Sequence, residues 1–225
     1  YQVNVSKRKV STISLMRHEL GLPKKGFVFC CFNSSYKITP NVFDGWMRIL
    51  NEVEGSVLWL LANHRNPIST KNLIKEARKF GINKDRLVFA RHMPVEEHLN
   101  RIQHADLFID TLPCNAHTTA SDALRMGLPV LTHIGQSFAS RVAASLLNAV
   151  NLPELITTNQ NQYESLAIEL ASNPSKLKMI KDKLTSNIDK APLFDSKLFT
   201  NNIESAYTQM YERHNKSLKP KHIYV

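Results

Sequence analysis

Apolar residues along this chain fall into two alternating patterns. Short continuous runs at 26–32, 56–61, 87–90, 105–110 and 128–132 have the length and composition of strands buried on both faces, and a weaker one lies at 152–156. Between them, apolar positions recur at helical spacing. Pro40 opens an amphipathic helix with Val42, Trp46, Ile49 and Leu50 on one side, broken at Gly55. Ser69 is the expected cap of a basic helix that runs to Phe80 and closes at Gly81. Pro94 opens a helix carrying Glu96, Glu97, His98 and Arg101, and Ser137 opens one containing Arg141 and the small run Ala143-Ala144-Ser145. Helices at 163–171, 174–188 and 195–211 follow, Pro192 separating the last two, and a short helix is expected over 12–20. Strand and helix alternate about every 25–30 positions, the sign of βαβ units. The reading is α/β: a Rossmann-like parallel sheet with a helical C-terminus. It divides into a lead-in (1–25), a Rossmann-like domain (26–190), a C-terminal helix (191–214) and a loose tail (215–225).

The stretch 105–132 organises the rest. It reads as strand, loop, helix, strand, with Thr118 or Thr119 as the N-cap and Asp122 completing a capping-box pattern after Thr119. A polar loop at the carboxyl end of a buried strand, feeding a helix N-terminus, is where open α/β sheets bind ligands. The first-turn N–H groups lack partners inside the helix and the dipole is positive there, so the site suits a phosphate. His117, Thr118 and Thr119 put an imidazole and two hydroxyls at that end. Polar loops also follow other strands: 33–37, and 91–93 with His98 beyond it. The carboxyl rim of one sheet gathers all three.

Composition narrows the partners. The chain has 225 residues, 43% hydrophobic and 21% charged, enough for a real core. The net charge of +10 is compatible with nucleic acid, an anionic surface or a phosphorylated ligand. Its basic residues are scattered at ends and polar helix faces, as in Lys7-Arg8-Lys9, Lys24-Lys25 and 216–221, with no aromatic-plus-basic module, so nucleic acid is disfavoured. Cys30, Cys31 and Cys114 form no C-x-x-C pattern and point to a reducing, cytoplasmic setting. No apolar run approaches the roughly 18 residues of a membrane span. Starting at Tyr1 without a methionine, the chain is expected to be a piece of a longer protein.

Several motifs in order then carry a resemblance: FCCFNSSYKITP (29–40), SVLWLL (56–61), EEHLNR (96–101), DTLPCNAHTTASD (110–122) and ASRVAASLL (139–147). Together they resemble the C-terminal catalytic half of the O-linked N-acetylglucosamine transferases, above all bacterial TPR-linked relatives. The resemblance spans nearly the whole chain. It implies a GT-B fold, with this chain as the nucleotide-binding half and the other Rossmann half and TPR repeats outside it. The implied reaction is inverting transfer of N-acetylglucosamine from UDP-GlcNAc to serine or threonine of an acceptor protein, without cofactor or divalent metal.

It also implies roles. Lys37 matches the essential lysine, set to stabilise charge on departing UDP. His117, Thr118 and Thr119 match the pyrophosphate turn, and Asp122 a contact to the nucleoside sugar. His98 matches a histidine near the uracil or ribose, with Arg101 one turn on as a further contact to the UDP-sugar, and Met93 a position whose backbone reads the uracil. Cys114 falls in the sugar-proximal loop. Two positions depart from the animal enzymes: Ser34 stands where they have a glutamine near the phosphates, and Val95 where they have a lysine near the nucleotide. The alternatives are a UDP-glucose-dependent N-glycosyltransferase of the same family, or a non-catalytic nucleotide- or partner-binding module.

Overall fold

A computed structural model describes residues 8–62 and 67–225. The first seven residues of the expected lead-in, and most of the polar loop expected at 62–66, lie outside the described residues. The apolar runs form six parallel strands: β1 (Val28–Cys31), β2 (Val57–Leu61), β3 (Leu87–Ala90), β4 (Leu107–Ile109), β5 (Val130–His133) and β6 (Ile156–Thr157). Their order is β3-β2-β1-β4-β5-β6, and every neighbouring pair is parallel. Consecutive residues of a strand face opposite sides of a sheet. All four residues of β1 and all three of β4 are buried, so both faces are covered. That explains why these strands read as continuous apolar runs rather than alternating ones.

Eight α-helices lie among the described residues, the first seven packing around the sheet: α1 (Pro40–Glu52), α2 (Pro67–Lys79), α3 (Val95–Ile102), α4 (Thr118–Arg125), α5 (Val142–Ala149), α6 (Gln160–Ser172), α7 (Pro174–Ile188) and α8 (Ser196–Asn215). The predicted stripe on α1 is buried throughout, with Trp46 and Ile49 at 0% exposure. The α1 helix packs on α6, and α4 packs on α3, α5 and α7. One polar chain ties α1 and α6 to the sheet. Trp46 Nε1 donates to the Tyr163 hydroxyl at 3.1 Å, and that hydroxyl donates to the Asp110 carbonyl at 2.9 Å. Tyr163→Phe removes both bonds inside the core. It should lower stability by about 1–3 kcal/mol, read from denaturant midpoints at unchanged slope.

The structure corrects several boundaries. The helix expected over 12–20 is only a 3₁₀ turn, Arg17–Leu20. Ahead of it the chain is tied to α3 instead: Ser11 N–H donates to the Glu96 carbonyl and Asn100 Nδ2 to the Ile13 carbonyl. Ser69 is not a cap, because α2 already starts at Pro67. The last strand is not 152–156. Leu152 and Leu155 are fully buried around the 3₁₀ turn Pro153–Leu155, and pairing begins only at Ile156. Their hydrophobicity reports core packing rather than a ladder. Ser137 precedes a 3₁₀ turn, Phe138–Ser140, before α5 begins at Val142.

Candidate functional site

Strand order reverses between β1 and β4, so their outgoing loops diverge and leave a crevice at the carboxyl rim. The loop after β1 carries Asn33, Ser34 and the 3₁₀ turn Ser35–Lys37. The loop after β4 runs from Asp110 to His117 and enters α4. Lys37 bridges the two: its Nζ donates to the Asn115 carbonyl at 2.8 Å. Its ammonium makes no ion pair with a carboxylate among the described residues.

The start of α4 differs from the expected capping pattern in a way that matters chemically. His117 is the N-cap residue and its side chain makes no capping bond. Thr119 turns its hydroxyl to Asn33 Oδ1 at 2.5 Å, and Asp122 takes Arg8 Nη1 on Oδ1 at 2.9 Å. Among the described residues no side chain caps the first turn, so its N–H groups remain available to an anion. His117 Nε2 is buried without a hydrogen-bond partner among the described residues. Burial, and then the charge of Lys37, hold the His117 ring below the usual histidine range, so it is neutral at pH 7. Asp122 is pushed above the usual carboxylate range by burial, an effect opposed by Arg8.

Beneath this rim sits a residue that opens one of the motifs but to which the sequence attached no role. The Asp110 carboxylate is 3% exposed. Its Oδ1 accepts from Thr111 N–H (2.7 Å), Ala116 N–H (2.6 Å) and Asn33 Nδ2 (3.3 Å), and its Oδ2 from the Thr132 hydroxyl (2.8 Å). Asn115, fully buried, closes the loop further through Nδ2 to the Thr111 carbonyl at 2.8 Å. The loop's shape is therefore set from below. The sequence signals were its place at the end of an apolar run and at the start of the motif 110–122, neither of which reveals these bonds.

A second cluster flanks the first. His98 on α3 lies with its ring 5.2 Å from that of Phe32, the residue before Asn33. Met93 is half-buried in the loop between β3 and α3. Arg101 is not a surface residue: it is 1% exposed, with its guanidinium 5.1 Å over the Phe32 ring. Ser34 and Val95 face solvent. Lys37, Thr119 and Asp110 are thus connected through Asn33 and Asn115, while Met93, His98 and Arg101 form the neighbouring group. Cys114 is half-buried in the β4 loop, and Cys30 and Cys31 are buried thiols held protonated by burial. Among the described residues no group of His, Cys, Asp and Glu is arranged to hold a metal, and no helix is long and apolar enough to cross a membrane.

A doubly wound sheet of this order, with a lysine and an uncapped helix N-terminus meeting at its switch point, is one half of a GT-B fold, the architecture of nucleotide-sugar-dependent glycosyltransferases. The chain belongs to glycosyl transferase family 41, whose profile matches residues 4–203. It is 36% identical over 214 residues to the UDP-N-acetylglucosamine–peptide N-acetylglucosaminyltransferase of Caenorhabditis elegans, an alignment covering 95% of this chain and 18% of that protein. A mutant O-GlcNAc transferase of Thermobaculum terrenum superposes with a TM-score of 0.78 at 31% identity, over 83% of this chain and 36% of the other. Sucrose-phosphate synthase of Thermosynechococcus elongatus, at 14% identity and a TM-score of 0.61, covers 87% of this chain and 48% of its own and shares the fold alone. The chain spans about a fifth of the length of the curated relatives it matches.

Proposed function

We propose that this chain is the donor-binding half of a protein O-GlcNAc transferase. It would hold UDP-GlcNAc while a serine or threonine hydroxyl of an acceptor protein attacks the anomeric carbon with inversion. The observation that carries the reading is the meeting of Lys37 with the loop that leads into the uncapped N-terminus of α4. The diphosphate takes the first-turn N–H groups and the Thr118 hydroxyl, while the Thr119 hydroxyl, donated to Asn33 Oδ1, ties that turn to the β1 loop; the Lys37 ammonium takes the charge that grows on the leaving oxygen. Charge stabilisation falls to these groups, so the reading calls for no divalent metal and no cofactor. Asp122 has Oδ2 left for a ribose hydroxyl, since Arg8 occupies Oδ1. His98 and the backbone at Met93 line the nucleoside end. Ser34 stands at the phosphate end.

The remaining parts of the machinery belong to the other Rossmann half, with TPR repeats as the expected acceptor-binding partner. Three unbridged thiols fit a cytoplasmic setting. The helix α8 leaves Tyr207, Met210 and Tyr211 exposed, in keeping with a chain end that packs on a further part of the same protein. The reading is tested by UDP titration of the chain carrying Thr118→Val and Thr119→Val. Loss of the Thr118 donor to a charged ligand, together with the Thr119 tie to Asn33 that positions the turn, should weaken UDP at least about tenfold. Unchanged affinity removes the diphosphate from α4.

A further inference from the structure

Arg101 presents a puzzle that nucleotide binding as stated does not answer. A guanidinium at 1% exposure normally has a carboxylate beside it, yet none pairs with Arg101 among the described residues. Its donors go elsewhere. Nη1 donates to the Arg91 carbonyl, while Nε at 3.0 Å and Nη2 at 2.6 Å both converge on one atom, His98 Nδ1. The rings of Phe32, 5.1 Å away, and Trp59, 6.0 Å away, hold the guanidinium plane in place. A methionine would fill this space without burying a charge. What only arginine supplies is a rigid pair of N–H donors aimed at the imidazole.

A guanidinium has donors and no acceptor, so His98 Nδ1 must carry a lone pair. The ring is then neutral and its proton sits on Nε2. That nitrogen has no partner among the described residues and is not sealed in the interior. We propose that Arg101 is a positioning residue: it fixes His98 as a neutral Nε2–H donor, so that the nucleoside group His98 selects is a hydrogen-bond acceptor, a base carbonyl or a ribose oxygen. The inference rests on the nucleotide reading above and changes the role of Arg101 within it, from ligand contact to holder of the ligand contact. The groups facing His98 agree. Arg101 lies on its own helix and His92 comes from the loop after β3; with burial as the largest cause they bring His98 down to about 4. Behind Arg101, on β1, lies the protonated Cys30 thiol.

Long-range 1H–15N NMR on the 15N-labelled chain, with His98 identified by difference from His98→Gln, reads the tautomer directly. The expected spectrum shows His98 as the Nε2–H form, unchanged from about pH 8 to about pH 5.5 while ordinary histidines titrate. In Arg101→Met both tautomers should appear, titration should return towards the ordinary range, and UDP should bind about tenfold more weakly. Combining Arg101→Met with His98→Gln should cost no more affinity than the larger single change, because both remove the same contact. A wild-type His98 that is protonated on Nδ1, that titrates in the ordinary range, or that keeps its signature in Arg101→Met overturns the proposal. If Arg101→Met does not fold, the wild-type spectrum alone decides. The expected tautomer in a chain that does not bind UDP supports the pairing and overturns the nucleotide role.

Discussion

In the complete protein, Lys37→Ala should lower kcat by about a hundred- to a thousandfold, with a much smaller loss of UDP affinity. The asymmetry follows from where the ammonium sits. Lys37 Nζ is tethered to the Asn115 carbonyl, a neutral acceptor two residues before His117, so its charge is positioned but not neutralised. A bound diphosphate already has the N–H groups of α4 in the ground state. The charge that appears on the bridging oxygen as the sugar departs is extra, and only a fixed cation responds to it without reorganisation. Lys37→Arg restores charge without restoring the tether, since a planar fork does not reach the Asn115 carbonyl from the same backbone as a point donor does. It should recover UDP affinity more than kcat. Measured turnover near that of the parent, with UDP affinity retained, would remove Lys37 from the chemistry.

What could be read in advance divides by the range of the physics involved. The five main strands, the stripe on α1 and the rim of polar loops were legible because burial on two faces and helical periodicity are local patterns. The register of β6 was not, because Leu152 and Leu155 are as apolar as a strand but pack inward from a 3₁₀ turn. The lead-in was misread as helix because its partner, α3, lies more than eighty residues away in sequence. In the candidate site the motifs pointed to roles for Lys37, His117, Thr118 and Thr119; Asp110 and Arg101 lie in motifs too, but what each holds in the fold was not legible there. Asp110 gathers donors from positions 33, 111, 116 and 132, which no spacing rule connects. Arg101 looks like a charged residue on a polar helix face until the rings of Phe32, just after β1, and Trp59 of β2 close over it.

Asp110 therefore carries the other large expectation. Replacing its carboxylate by an apolar side chain of similar size, Asp110→Leu, strands the Thr111 and Ala116 N–H groups in the interior and should destabilise the chain by about 3–5 kcal/mol. Asp110→Asn keeps one acceptor for those N–H groups and lets the Thr132 hydroxyl reverse, so its loss should be only about 1–2 kcal/mol. The pH dependence separates the two charges beneath the rim. Burial raises Asp110 from 3.8 to about 6, its four hydrogen bonds opposing the rise. The native state then binds more protons than the unfolded chain between those values, so this group's contribution to stability falls as pH rises from about 4 to about 6 and is level above. His98 runs the other way. Lowered from 6.5 to about 4, it binds fewer protons in the native state, so its contribution rises with pH over nearly the same window. In the parent chain the two slopes oppose each other. Asp110→Asn removes one, and Tm should then climb with pH across roughly 4 to 6.5 more steeply than in the parent. His98→Gln should tilt the profile in the opposite sense. Because Asp110 holds the loop from which Asn115 tethers Lys37, Asp110→Asn should also weaken UDP binding at pH 7 although it touches no ligand. An unaltered pH profile together with unaltered UDP affinity would mean that the carboxylate neither shapes the rim nor titrates where its burial places it.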